Sequence, residues 1–284
     1  MSYRAYLVRR AIFTIPVFFG LSVLIFLLAR VVPGAPARAA LGPEASQEQV
    51  EQLRQQMGLN EPVWVQYVNY IEGLLRGDMG VALTTNHNVA TDLAHFFPAT
   101  FELTTVAMIL AVSLGIPLGV VAGKNKDELA DNASRGLAFF GVSMPRFWSG
   151  ILFQLLFAFS LGWFPATGRI GDNVELTQIT SVFILDSLIA LNFAALGSVL
   201  IHVFFPALTL SLSPMAQITR LTRSNFIDEH NKEYVTGLQV YGVPEKLVTY
   251  KYVLKRSISA AMTFIGLAYG FLLGGAFVVE IVFA

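Results

Sequence analysis

Five long apolar runs limit what this 284-residue chain can fold into. A helix needs about 20 mostly apolar residues to cross a bilayer, and a spanning helix satisfies its backbone polar groups internally. Only 13% of the residues are charged, against roughly 25% in an average soluble domain. We therefore predict an all-α, polytopic membrane protein. Its five predicted spans are 11–32, 100–122, 137–162, 202–222 and 257–282.

Basic residues predict the orientation of the chain. Arg9 and Arg10 directly precede the first span, and positive flanks favour the cytoplasmic side. The first run is too long for the apolar region of a cleavable signal peptide, so we predict an anchored chain with a cytoplasmic N-terminus and, after five spans, an outer C-terminus. Most Lys and Arg residues then lie in the cytoplasm: Arg4, Arg9, Arg10, Lys124, Lys126, Arg135, Arg220, Arg223, Lys232, Lys246, Lys251, Lys255 and Arg256.

A further apolar stretch, 181–200, is interrupted by Asp186 and Asn192. Counting it as a span would put the basic cluster between the last two spans outside, against the positive-inside bias. We therefore predict that it forms an interfacial or re-entrant helix on the outer side.

The first outer loop predicts a small helical cap. Ser46 and Gln49 have capping-box spacing, Gly58 suits a helix C-cap, and a second helix is predicted to start at Pro62. The predicted organisation is a cytoplasmic N-terminus with the first span (1–32), an extracytoplasmic helical cap (33–99) and a core (100–284) that contains an outer interfacial segment (163–201) and a cytoplasmic loop (223–256).

Composition and motifs argue against several functions. Nineteen basic residues balance nineteen acidic ones, so no excess positive charge favours nucleic acid. The chain has no cysteine, and its four histidines lack metal-ligand spacing, so we predict no metal site. The segment 119–125 lacks the spacing and the Ser or Thr of a phosphate-binding loop, and no catalytic motif is present. We predict a non-enzymatic chain that binds no cofactor and takes its energy from a partner.

Glycines recur every four residues in two of the spans. Small residues at this spacing share one helix face, where they let helix backbones pack closely in lipid. Pro117 and Pro145 predict kinks. Glu102 is interpreted as a first-turn residue stabilised by the helix dipole, and Arg146 can line a cavity or contact lipid head groups. The predicted helix-packing residues are Gly115, Gly119, Gly123, Gly266, Gly270 and Gly274.

The polar segment 225–258 predicts two short helices that meet at Gly242. It resembles the coupling loop, or EAA loop, of permease subunits of binding-protein-dependent ABC importers, a loop that docks into the ATPase subunit. Leu238 and Val240 stand where alanines are usual in that family, and a solvated connector is the alternative reading. The resemblance implies an ATPase-coupling role for Glu233, Tyr234, Val235, Gly242, Val243, Pro244, Glu245 and Lys246.

Other segments, distributed along essentially the whole chain, are similar to the dipeptide/oligopeptide class of these permeases. They are Val32–Gly34, Met57–Leu59, Gly73–Gly80, Pro145–Gly150, Leu161–Arg169 and Gly270–Gly275. The resemblance implies a prokaryotic inner-membrane permease subunit surrounded by lipid, a second homologous permease, two cytoplasmic ATPases that use ATP and Mg, and an extracytoplasmic solute-binding protein. Members of the class continue beyond the position of Ala284 into a sixth span, so this chain is expected to lack that span or to be truncated.

Two alternative functions stay open at this point. The same scaffold can import nickel, glutathione or another non-peptide solute. A channel or a non-transporting scaffold is the other alternative, although the chain shows no filter-like loop or charged ring. Substrate-binding residues are not assigned from the sequence.

Overall fold

The computed structural model of the chain describes residues 3–31, 41–42, 44–56, 58–82, 85 and 87–284. Within these residues the structure is helical apart from loops and one isolated antiparallel bridge between Val81 and Asn88. The predicted all-α fold is confirmed. The segment Val32–Gly34 and the residue Met57, which contributed to the family resemblance, lie outside the described residues.

The chain divides into two compact units, Met1–His95 and Phe96–Ala284. The domain boundaries predicted from the sequence stay predictions. In the first unit, helix α1 is Tyr3–Val31, α2 is Gln47–Gln56 and α3 is Val63–Leu75.

Local capping patterns determine where the short helices of the first unit begin. The Ser46 N–H donates to Gln49 Oε1 at 3.0 Å, and the Gln49 N–H donates to Ser46 Oγ at 3.3 Å. This reciprocal pair is the predicted capping box. Pro62 immediately precedes α3, as predicted, because proline tolerates the start of a helix but not its interior.

Helix α1 contacts α3 through a small aromatic group. Ser22 Oγ and Tyr67 OH lie 2.9 Å apart, and the Phe26 ring meets the Tyr67 ring edge-on with 5.3 Å between centroids. Most other described side chains of α1 are exposed although the helix is strongly apolar. Such a surface is suited to lipid contact.

The second unit is built around one long helix. Its elements are α4 (Val89–Lys124, which begins in the first unit), α5 (Leu129–Ser143), α6 (Arg146–Phe153, continued by a π-helical segment Gln154–Ser160), α7 (Phe183–Ile189), α8 (Phe193–His230), α9 (Glu233–Val240), α10 (Glu245–Leu247, continued by a π-helical segment Val248–Val253), α11 (Leu254–Gly275) and α12 (Phe277–Phe283).

Helix α8 is the centre of this unit because α4, α5 and α11 all pack against it. Its Leu210 and Ile218 are fully buried together with Met108 of α4 and Leu272 of α11. Small residues of the same cluster, such as the fully buried Ala107 of α4 and Ala207 of α8, allow the close approach on which helix packing in membranes depends.

Four described helices are long and apolar enough to cross a membrane, and a fifth span exists if the bent pair α5–α6 is counted as one. The kink predicted at Pro145 is confirmed, because α5 and α6 meet there at an angle of 106° within the predicted span 137–162. Proline disfavours helical geometry in the preceding residue, and Met144 is accordingly extended, with ψ of 132°. Pro117, by contrast, lies within the continuous helix α4.

The predicted single helix over 181–200 is wrong. The chain forms α7, turns at Leu191 with φ of +51°, and then starts α8 at Phe193. Asn192, interpreted from the sequence as an interruption, is the N-cap of α8 and accepts a hydrogen bond from the Ala195 N–H at 3.0 Å. The fourth membrane helix therefore begins nine residues before the predicted start at His202.

Candidate functional site

The turn between α9 and α10 is the first candidate site, and Gly242 lies at its centre. The Gly242 N–H donates to Gln239 O and the Val243 N–H donates to Leu238 O, both at 3.0 Å. Gly242 has φ of +72°, a conformation that glycine adopts without steric cost. These bonds form a Schellman motif. The predicted meeting of two short helices at Gly242 is confirmed, and we call residues 233–250 the α9–α10 turn.

A buried carboxylate anchors this turn to the end of α8. Glu229, only 7% exposed, accepts hydrogen bonds from Lys232 Nζ at 2.5 Å and from Tyr234 OH at 2.9 Å. The Arg256 guanidinium lies 3.9 Å from Glu229 and stacks over the Tyr234 ring at 4.6 Å. Burial, together with the bond to Glu229, raises the pKa of the Tyr234 phenol, so the hydroxyl remains a donor at neutral pH.

An apolar cluster packs between the α9–α10 turn and the long helices of the core. Val235, Val248 and Val253 are buried against Phe226 of α8 and Val120 of α4. The cluster therefore joins α9 and the π-helical segment after α10 to two long helices. A separate ion pair, with Lys124 Nζ and Glu245 Oε1 at 2.8 Å, links the end of α4 to α10. Both of its partners are exposed, so it contributes little to stability.

The tip of the α9–α10 turn carries apolar side chains that no other described residue covers. Tyr241 is 89% exposed and Val240 is 80% exposed. They follow one another at the tip, next to Gly242. Exposed aromatic and aliphatic residues grouped in this way are typical of protein interaction surfaces.

The structure brings the predicted coupling residues together but gives them different environments. Val235 is buried, and Tyr234 and Val243 are partly buried. The exposed residues are Glu233, Gly242, Pro244, Glu245 and Lys246. Sequence reasoning missed Glu229 and Arg256. The spacing of Glu229 and Lys232 on one helical turn was a signal for the first of these, but the contact of Arg256 depends on the tertiary fold.

The two glycine strips differ in what they face. A Cβ at Gly119 would lie 2.6 Å from Thr222 Cβ, and one at Gly115 would lie 3.0 Å from Met215 O. On α11, by contrast, a Cβ at Gly266, Gly270 or Gly274 would meet no atom of the described residues within 4 Å. The packing role predicted for both strips stays a prediction.

Helix α4 carries a second charged group well before its C-terminal end at Lys124. Glu102 lies 22 residues before Lys124, about 33 Å along the helix, which is close to the thickness of the hydrocarbon core. Its Oε2 accepts a hydrogen bond from Arg169 Nη2 at 2.6 Å, and its Oε1 accepts one from the Ile184 N–H at 2.6 Å. The first-turn interpretation of Glu102 is wrong, because α4 begins at Val89.

An open cavity of about 240 Å³ lies beside this ion pair. Glu102, Arg169, His202 and Glu280 line it among apolar side chains. Glu280 Oε1 is buried without a hydrogen-bond partner in the described part of the chain. The described residues include no group of three or more His, Cys, Asp or Glu side chains arranged to hold a metal.

Two family models match the chain. The model of the binding-protein-dependent transport system inner membrane component matches residues 115–284. The model of the N-terminal part of the same class of membrane component matches residues 3–104. Together they include the α9–α10 turn, both glycine strips and the first span.

Several characterised relatives are similar over almost the whole chain. A dipeptide transport system permease of Alkalihalophilus pseudofirmus is 36% identical over 99% of this chain and 84% of its own length. A probable D,D-dipeptide transport system permease of Escherichia coli K12 is 35% identical over 93% of this chain and 78% of its own length. A glutathione transport system permease of the same strain is 34% identical, with coverages of 98% and 82%.

Proposed function

Since the chain belongs to the family of inner membrane components of binding-protein-dependent transport systems, we propose that it helps to form the path by which an ATP-driven importer takes up short peptides. Family membership makes the chain a multi-pass inner membrane permease and a non-catalytic subunit of an ABC importer. It also implies an ATPase and a solute-binding protein as partners.

The proposed assembly contains this chain, a second homologous permease subunit, two cytoplasmic ATPase subunits and an extracytoplasmic binding protein. ATP and Mg are used by the ATPase subunits, and this chain holds no cofactor. The N-terminus and the α9–α10 turn lie on the cytoplasmic side, and the Glu102–Arg169 pair lies on the outer side. The basic residues near the turn support this orientation.

The exposed tip of the α9–α10 turn is the observation that carries the docking proposal. Val240 and Tyr241 are positioned to enter an apolar cleft of the ATPase, because a buried aromatic side chain is a frequent anchor of an interface. The Schellman motif at Gly242 and the bonds to Glu229 hold the turn in one conformation. Such preorganisation reduces the entropy lost on docking.

The buried contacts of the turn suggest how movement of the ATPase reaches the membrane. A displacement of the docked turn is transmitted to α8 through Glu229 and Phe226. Helix α8 has 38 residues and is about 57 Å long, so one continuous helix joins the cytoplasmic turn to the outer end of the core. Rigid-body movement of such elements alternates access between the two sides.

The substrate class rests on the relatives. The transport systems named for them handle a dipeptide, a D,D-dipeptide and glutathione, all of which are short peptides or peptide-like molecules. We extend that chemistry to this chain and expect the separate binding protein to select the individual peptide.

The docking proposal is tested with a Val240→Asp/Tyr241→Asp double variant, assayed by copurification of the ATPase subunits in mild detergent. We expect at least a tenfold loss of bound ATPase, because two charges would be desolvated in an apolar cleft. The melting temperature of the chain itself should not change, since both side chains are exposed.

Leu191→Asn is the matched control. Leu191 is an equally exposed apolar residue at the other end of the core, and asparagine tolerates its positive φ. Wild-type ATPase recovery with the double variant, or equal loss with the control, would contradict docking through this tip.

The substrate proposal is tested by uptake into proteoliposomes that contain the assembled transporter and its binding protein. Uptake of labelled dipeptide, glutathione and nickel is compared in the presence and absence of ATP on the side of the membrane that carries the ATPase subunits. We expect ATP-dependent uptake of a peptide substrate. Uptake of nickel alone, or solute flux that needs no ATP, would refute the peptide importer proposal.

A further inference from the structure

A basic groove lies between α5 and α8, at the end of the core that carries the α9–α10 turn. The cavity has a volume of about 320 Å³ and is lined by residues of these two helices only. We propose that this groove binds the phosphate head group of an anionic phospholipid. The assignment of the groove to the cytoplasmic leaflet rests on the orientation given under the proposed function.

Two contacts set the geometry of the groove. At its cytoplasmic end, Arg223 donates two hydrogen bonds of 2.5 Å to the fully buried Asp131 carboxylate. Deeper along the helices, a Cβ at Gly141 would lie 3.0 Å from Leu212 O. The two helices are therefore antiparallel and closely packed at Gly141. The packing of α5 against α8 at these two contacts therefore fixes the groove between them.

The groove carries an excess of positive charge. Arg223 is neutralised by Asp131, but Arg135 and Arg220 also line the groove, and no carboxylate does. Arg220 donates to the neutral Gln217 side chain at 2.6 Å. Arg135 is attracted to the Asp131 carboxylate, but the single negative charge of that carboxylate is already paired with Arg223. Arginine presents several donors in a planar fork that matches phosphate oxygens.

The position of these arginines along their helices places them at the membrane interface. Arg220 is the first Lys, Arg, Asp or Glu after the start of α8 at Phe193. The 27 residues before it extend about 40 Å, enough to cross the hydrocarbon core. Basic pockets between membrane helices near the cytoplasmic surface are suited to anionic lipid head groups.

The wall of the groove is apolar on the membrane side of the arginines. Phe139 and Val142 of α5 line the cavity and are also exposed. A ligand that fits this arrangement has an anionic head and an apolar tail, which favours a phospholipid over a free phosphate or a soluble peptide. The apolar side chains would contact the acyl chains while the arginines hold the head group.

The test is native mass spectrometry of the assembled transporter, titrated with phosphatidylglycerol and, separately, with phosphatidylcholine. We expect preferential retention of phosphatidylglycerol by the wild-type protein. The Arg135→Gln/Arg220→Gln variant should lose this preference by roughly ten- to thirtyfold, since each basic residue near the surface contributes to anionic lipid attraction. Arg4→Gln/Arg9→Gln is the control, because it removes the same charge from α1.

Four outcomes would overturn the proposal. They are an unchanged lipid preference in the groove variant, an equal loss in the control, displacement of the lipid by millimolar inorganic phosphate, and displacement by a transported peptide. The last would assign the groove to the transport path. A Phe139→Ser variant provides a second test of the proposal, because it should weaken lipid binding while leaving both arginines in place. Lipid retention is measured without ATP hydrolysis, so failure of peptide uptake would not affect this result, and the same titration of the chain without ATPase subunits separates lipid binding from ATPase docking.

Discussion

Replacing Gly119 with alanine tests how closely α4 and α8 pack. The new Cβ would lie 2.6 Å from Thr222 Cβ and 2.8 Å from Thr219 O, whereas ordinary contacts are 3.4–4 Å. The Thr219 oxygen belongs to the backbone of α8 and cannot rotate away. The two helices must therefore separate locally by about 1 Å, which loses between a quarter and a half of the dispersion energy of the atom pairs concerned.

We expect Gly119→Ala to destabilise the chain by about 1–2 kcal/mol. Overpacking a tight interface costs about 1–3 kcal/mol, and the better helix propensity of alanine offsets up to about 1 kcal/mol of this. The expected fall in melting temperature is about 3–6 °C for a unit of this size. Thermal unfolding of the purified protein in detergent, followed by tryptophan fluorescence, measures it.

Gly197→Ala is the matched control for this substitution. Gly197 lies within α8, and a Cβ there would meet nothing within 4 Å among the described residues. Its melting temperature should stay the same or rise slightly. The argument from close packing fails if Gly119→Ala melts at the wild-type temperature, or if both alanine variants lose the same stability.

Three more predictions follow from the outer end of the core and from α11. Glu102→Gln leaves the Arg169 guanidinium without its charged partner, so we expect a loss of about 2 kcal/mol and faster hydrogen exchange of the Ile184 amide. Burial would raise the pKa of Asp186, but hydrogen bonds from the Thr180 hydroxyl and neighbouring amides lower this pKa below its ordinary value. The stabilisation by the Asp186 carboxylate is complete above the ordinary pKa of about 4 and is lost as pH falls through the folded-state pKa. Hydrogen exchange around α7 should therefore accelerate only in acid. Gly270→Leu should leave the melting temperature of the isolated chain unchanged, because a Cβ at Gly270 would meet no atom of the described residues within 4 Å, but it should reduce recovery of the second permease subunit. A destabilised isolated chain would contradict this prediction.

Local sequence patterns predicted those parts of the fold that depend on neighbouring residues. The capping box of Ser46 and Gln49 spans one helical turn, and the Gly242 turn needs only a residue that tolerates positive φ. The apolar runs predicted an all-helical membrane protein because the bilayer imposes both length and composition on a span. None of these features requires knowledge of which helices are neighbours.

The sequence predicted the helices less well where an apolar run does not indicate where a helix bends, begins or ends. Pro145 predicted a kink within 137–162, but the sequence did not predict that the bend between the two helices reaches 106°. The apolar stretch around Asn192 contains a turn and a helix start, and the same residue type that interrupts a helix also caps one. Composition alone does not distinguish these two uses.

Tertiary structure alone decided the partners of two buried carboxylates, Glu102 and Asp131. Glu102 pairs with Arg169, 67 positions away, and Asp131 pairs with Arg223, 92 positions away. Burying a charge is costly unless a partner of opposite charge is brought to it, and the sequence does not indicate which partner the folded chain supplies. The sequence by itself determined helices, caps and membrane character, because these arise within one or two helical turns. The packing of α4 and α5 against α8 decided the ion pairs, the basic groove and the face of each glycine strip, because these contacts join residues far apart in the chain.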